Sequence, residues 1–295
     1  MIRSFSAPAK VNLDLKVMGR REDGYHLIES GMTFFPWFDR LEVSCRPDGE
    51  IFLECQPAVT AAQEDNLVYR AAMQLKRGAG VESGARIRLF KSIPHGAGLG
   101  GGSSDAAVIL LALNRMWGVN RSLAQLCDLG VQLGADIPFF LGGGSARVAG
   151  IGEKITRCPD TPELELVVVH PGVTLATATV YRGVTAEMIA GRVRLEASSE
   201  RVPEGGYPLI FENDLEPVAR GLTPVIASVA DQLRRWGAVT TLMSGSGSAV
   251  FGVFAEEETA RRAGAAISRE QPAWQVKQGR TFNIHPFDRE WQSGI

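Results

Sequence analysis

The chain has 295 residues, 45% of them apolar, and a net charge of -2, which is length enough for two modest domains around two cores. A balance this near neutral argues against nucleic acid or an anionic membrane as the principal partner. The four cysteines, Cys45, Cys55, Cys127 and Cys158, are scattered without a C-x-x-C pair and read as reduced thiols of a cytoplasmic protein.

In chain order, MIRSFSAPAK enters a strand-like pattern at once, which predicts no secretory leader. FSAPAKVNLDLKVMG alternates with period two: Ala7, Ala9, Val11, Leu13 and Leu15 share one side, and Lys10, Asn12, Asp14 and Lys16 the other. Asp14 and Lys16 are expected on a solvated edge, whereas Lys10 and Asn12, beside Pro8, are expected to face a cleft. REDGYHLI holds an Asp-Gly turn before Tyr25 and His26. LEVSC, EIFLEC and RIRLF predict further strands, and apolar periodicity predicts helices at about 67–77, 104–117 and 122–133. CPDTPE reads as a domain junction. Beyond it come the strand ELELVVVHP, whose apolar run is too short to span a bilayer, and mostly helical segments, one with Val225, Val229, Leu233 and Trp236 on a face. That helix is expected to run into a second glycine loop, TLMSGSGSAVFGVF, which feeds a strand. The tail after Pro286, FDREWQSGI, shows little periodicity and is expected to be loosely held. The division predicted is 1–158, 159–286 and a tail at 287–295, in an α+β fold with mixed and antiparallel sheets and packed helices.

The densest chemistry is IPHGAGLGGGSSDAA, Ile93 to Ala107, where a glycine-rich turn opens a helix with Ala106, Ile109, Leu110 and Leu113 on one face. Unpaired N–H groups and the positive end of the helix dipole make such a turn an anion site. It lacks the Lys-Ser/Thr ending of the P-loop, and Ser103 stands where the dinucleotide fingerprint needs its third glycine. In GADIPFF, Asp136 is either a turn former before Pro138 or an acid at the edge of a dry pocket. Facing Lys10, it would set a base and a positive charge beside a phosphate-accepting hydroxyl. Tyr25 and His26 are either the start of a new element or a recognition loop with a stacking ring and an imidazole. No histidine pair has metal-ligand spacing, so a zinc site is not expected.

Together these segments resemble the GHMP small-molecule kinase superfamily. The resemblance rests on Pro94 through Ala107 and, for one branch, on APAKVNLDL, DGYH at 23–26, GADIPFF at 134–140, FENDLEPVA at 211–219 and MSGSGSAVF at 243–251. It implies a two-domain GHMP kinase fold and transfer of the ATP γ-phosphate to an alcohol of a small acceptor carrying a cytidine diphosphate. Homoserine or mevalonate kinase is the alternative within the superfamily, and a catalytically silent nucleotide-binding module the alternative from another class. By resemblance, Asp136 is the catalytic base and Lys10 its partner at the transferring phosphate. Pro94, His95, Gly96, Ala97, Gly98, Leu99, Gly100, Gly101, Gly102, Ser103 and Ser104 hold ATP. Asn12, Tyr25, His26, Asp136 and Tyr181 hold the acceptor, with His26 reading the cytosine edge and Tyr181 stacking on the base. Mg²⁺ with ATP is implied, with Ser104 as the one candidate ligand. A small-molecule substrate, no nucleic acid, no membrane, a monomer or weak homodimer and a cytoplasmic location complete the expectation. Val11, Asp14 and Leu215 depart from the usual pattern without touching these roles.

Overall fold

A computed structural model describes residues 1–159, 161–191 and 210–293, in which the strands form one seven-stranded and one four-stranded sheet. The larger sheet is organised by a single long strand, β3 (His26–Arg46). One edge of β3 pairs antiparallel with β1 (Arg3–Asn12) and β2 (Lys16–Arg20). Its other edge pairs with β5 (Gly84–Phe90) and β6 (Ala146–Gly150), and β4 (Ile51–Gln56) and β7 (Lys154–Arg157) lie outside these. Only β4 and β5 run parallel; the other pairings are antiparallel.

Four helices cover this sheet: α1 (Leu67–Ala79), α2 (Gly101–Met116), α3 (Leu123–Val131) and α4 (Ile137–Gly142). Local chemistry sets their ends. The Asn66 side chain accepts from Val68 N at 2.9 Å to start α1, Gly80 closes it in the left-handed region, and Ser122 with Gln125 forms a capping box on α3. Phe34, Ile87, Leu89, Ile109, Leu110, Leu113, Phe139 and Phe140 form the centre of the first core.

The smaller sheet runs β11 (Gln275–Arg280), β8 (Glu165–His170), β10 (Val250–Phe254), β9 (Thr240–Met243). In β8, Val167 and Val169 pack under α7 (Val225–Arg235) and α8 (Glu257–Glu270), and Leu166 and Val168 face the other way. A third core joins the sheets, with Ala9, Val11, Leu13, Phe35 and Trp37 against Leu166, Val168, Leu242 and Phe251. The mixed and antiparallel sheets with packed helices match the predicted fold class, and the larger sheet ends at Arg157 while the smaller begins at Glu165.

Four expectations are corrected. The single strand expected over 5–19 breaks between Asn12 and Lys16, and Asp14 is buried at 2% exposure, because β1 is enclosed on both faces. The second glycine loop joins β9 to β10 rather than a helix to a strand. The tail is helix α9 (Phe287–Ser293), with Phe287 buried and stacked on Phe5 at 5.1 Å between ring centres.

Candidate active site

A cleft of about 300 Å³ lies where the two sheets meet the start of α2. Its lining brings together residues from β1, the first glycine loop, the turn before α4, α5 (Thr177–Arg182) and the second glycine loop. Of the expected nucleotide residues, Pro94, His95, Gly96, Ala97, Gly98, Gly100, Gly101, Gly102 and Ser103 line it. Leu99 and Ser104 do not: Leu99 is a core side chain whose carbonyl accepts from Lys10 N at 2.9 Å, and Ser104 is fully buried. The candidate metal ligand Ser104 thus lies outside this lining, with its Oγ buried and unpaired, and the loop hydroxyl on the lining is that of Ser103.

The loop turns on glycine geometry. Gly100, with φ +71°, precedes α2, and no side chain caps the helix, so its first N–H groups are open to an anion. A Cβ at Gly100 would lie 2.8 Å from the Phe140 ring, and one at Gly98, with φ +77°, would run into the Ser244 carbonyl oxygen. The density of glycine therefore also serves the docking of the two loops. Ser244 Oγ donates to Gly98 O at 3.0 Å, and Ala249 N donates to Ala97 O at 3.1 Å. FENDLEPVA, which runs into α6 (Glu216–Leu222), holds the second loop in turn. Asn213 Nδ2 donates to the Met243 and Gly245 carbonyls, each at 2.8 Å, and Glu216 accepts from Met243 N at 3.0 Å.

Lys10 and Asp136 meet in this cleft, with Nζ 3.8 Å from Oδ2. The Asp136 side chain caps no backbone donor of α4 and stays 33% exposed, so it is an acid at a pocket edge rather than a turn former. Lys10 is 3% exposed; burial lowers its pKa, against the pull of Asp136, which raises it. Lys10 Nζ also donates to Asn12 Oδ1.

Tyr181 lines the cleft from α5, and its ring meets His26 with centres 5.2 Å apart and planes tilted 32°. The two rings touch, leaving no gap between them, and His26 itself is not on the lining. Burial raises the Tyr181 phenol, and Asp136 raises it further. Burial and the Arg20 charge lower the His26 imidazole, favouring its neutral form. Tyr25 is 62% exposed at the tip of the β2–β3 turn and does not reach the lining.

Sequence reasoning missed Lys91. It lines the cleft, and its Nζ is held by Asp39 and, at 2.7 Å, by Asp105. Asp39 also accepts from Ser92 N at 2.5 Å and Ile93 N at 2.8 Å, which pins the entrance of the glycine loop. Its partners are 52 and 14 residues away, and the only local signal was a lysine ending a strand.

The GHMP kinases N terminal domain matches residues 66–144, and the GHMP kinases C terminal domain residues 205–273. The 4-diphosphocytidyl-2-C-methyl-D-erythritol kinase of Variovorax paradoxus is 41% identical, with 97% of each chain covered. That of Pelotomaculum thermopropionicum is 42% identical over 96% of this chain and 99% of its own. A crystal structure of 4-(cytidine 5'-diphospho)-2C-methyl-D-erythritol kinase superposes with a TM-score of 0.76 at 39% identity, covering 96% of this chain and 99% of that one. A homoserine kinase from Cytophaga hutchinsonii, 18% identical, shares the fold with a TM-score of 0.67 over 96% of each chain.

Proposed function

The chain belongs to the 4-diphosphocytidyl-2-C-methyl-D-erythritol kinases within the GHMP kinase family, and from that premise we propose that it transfers the γ-phosphate of ATP to the 2-hydroxyl of the acceptor its relatives are named for, on the non-mevalonate route to isoprenoids. The observation that carries the site assignment is the meeting of Lys10 and Asp136 in the cleft that the first glycine loop lines. The open N–H groups at the start of α2 bind phosphate oxygens. Asp136 accepts the proton of the acceptor hydroxyl as its oxygen bonds to the γ-phosphorus and the bond to the β-phosphate oxygen breaks, releasing ADP. Lys10 neutralises charge on the moving group.

Among the described residues no cluster of three His, Cys, Asp or Glu side chains could cage a metal. The Ser103 hydroxyl on the lining would offer one oxygen to a Mg²⁺ brought in with the nucleotide. When bound it supplies further charge neutralisation. The aromatic pair Tyr181 and His26 suits a base-bearing acceptor, which homoserine and mevalonate are not. A silent binding module has no need of Lys10 and Asp136 in contact.

Asp136→Asn tests the assignment, since it keeps shape and removes the base. Turnover is expected to fall by roughly two to four orders of magnitude, with affinity for an ATP analogue retained in calorimetry. Turnover close to that of the parent would remove Asp136 from the role.

A further inference from the structure

Asn12 has an amide with one accepting and one donating end, and it is buried. Lys10 only donates, so it must meet Oδ1, as it does. The Nδ2 end then needs an acceptor out of reach of water, and Ser30 Oγ on β3 supplies it at 2.8 Å. Ser30, itself fully buried, gives its own proton to the Asp14 carbonyl oxygen. Its hydroxyl is thereby held as an acceptor towards Asn12. Asp14 is fixed in turn: Gly31 N donates to Oδ1, and Arg147 Nη1 lies 2.7 Å from Oδ2. The donors thus run one way, Lys10 to Asn12 to Ser30 to Asp14.

We infer that Ser30 is a positioning residue that fixes which end of the Asn12 amide faces Lys10 and so holds the Lys10 ammonium at the cleft. The inference rests on the proposed role of Lys10 at the transferring phosphate. Without the Ser30 hydroxyl, Nδ2 loses its acceptor and the amide is free to reverse. Reversal sets an N–H donor against an ammonium, which repels the charged form. Ser244 supports Asn12 from the other side: the Asn12 backbone N–H donates to Ser244 Oγ at 3.2 Å, and Ser244 Oγ, whose nearer acceptor is Gly98 O at 3.0 Å, lies 3.5 Å from Oδ1. Ser30 is thus the group that holds the donating end of the amide, opposite the Lys10 ammonium at the accepting end.

Around Lys10, the turn before α4 brings Asp136 and α5 brings the Tyr181 phenol, with His26 behind it and Lys91 elsewhere on the cleft lining. The second glycine loop brings backbone and the Ser244 and Ser246 hydroxyls. None of these changes in a Ser30 variant, so a shift in the alkaline limb of activity reports on Asn12.

The test compares Ser30→Ala and Ser30→Thr with the parent in steady-state kinetics across pH, after thermal unfolding has shown each folded. Ser30→Ala is expected to lower kcat by roughly 10 to 100-fold. KM for ATP and for the acceptor should stay within about threefold of the parent values, and the alkaline limb of kcat should move to lower pH. Ser30→Thr, which keeps the hydroxyl, is expected to hold the parent's alkaline limb. An Ala variant with parent kcat, or a fall in kcat with an unmoved limb, would overturn the inference. Should Ala not fold, Ser30→Cys, a far weaker acceptor, takes its place with the same outcomes. Lys10→Ala run alongside separates the two readings: retained turnover there overturns the role of Lys10 itself, whereas lost turnover beside a parent-like Ser30→Ala overturns only the role of Ser30.

Discussion

Asp105, in the first turns of α2, is buried against Lys91 and Asp39. Burial pushes its carboxyl up to about 7; the Lys91 charge opposes this and the Asp39 charge adds to it. A carboxyl whose folded pKa is raised contributes stability that is fully present below its unfolded value near 4 and is lost as pH rises through 7. Asp105→Asn removes that titration while keeping an oxygen for Lys91. The variant's Tm relative to the parent is therefore expected to rise between pH 5 and pH 7.5 and to level off above, by about 2–4 °C for each kcal/mol in a chain of this size. Thermal unfolding across pH checks this, and a gap constant with pH would exclude a raised Asp105. At this scale the sequence was legible where a residue type announces its chemistry near a motif, as for Lys10, Asn12 and Asp136. It was illegible for Asp14 and Lys91, whose burial and pairing are set by strands distant in sequence. Period-two alternation promises a wet face only when nothing packs on that side, and the two glycine loops close the Lys10 and Asn12 side of β1.

The two glycine loops work as one element. Gly98 holds φ +77° and leaves the space that the Ser244 carbonyl occupies, so Gly98→Ala meets both backbone strain and a clash. The strain alone is about 1–3 kcal/mol, and relief requires the loops to part. Gly98→Ala is expected to lower Tm and to weaken binding of an ATP analogue, whereas Gly80→Ala, also in the left-handed region but with nothing near its side-chain position, lowers Tm without touching affinity. Differential scanning calorimetry and titration separate the two. Parent-like nucleotide affinity in Gly98→Ala would show that docking does not shape the site. The first loop was readable because its glycines and serines are consecutive and lead into an apolar helical face. The second was placed between the wrong elements because β9 is only four residues, TTLM, too short for alternation to register. Likewise α9 shows no period over its seven residues, and it is held by Phe287 and Trp291 stacking with Phe5, a contact between the two ends of the chain that local patterning does not carry.

At the scale of the whole molecule, the cleft exists because one core is shared between two sheets. Leu13 and Phe35 from the larger sheet and Leu166 and Phe251 from the smaller are packed in it, with Leu99 of the first glycine loop among them. Among the described residues no helix is long and apolar enough to cross a membrane. This architecture is shared with a homoserine kinase only 18% identical, so the fold by itself does not set the acceptor. The most direct measurement is an acceptor panel with ATP and Mg²⁺, read by phosphorus NMR, offering 4-diphosphocytidyl-2-C-methyl-D-erythritol, homoserine and mevalonate. ADP and a new phosphomonoester on the cytidine-bearing acceptor, with little or no product from the other two, is the result expected. Preferential phosphorylation of homoserine or mevalonate would contradict it.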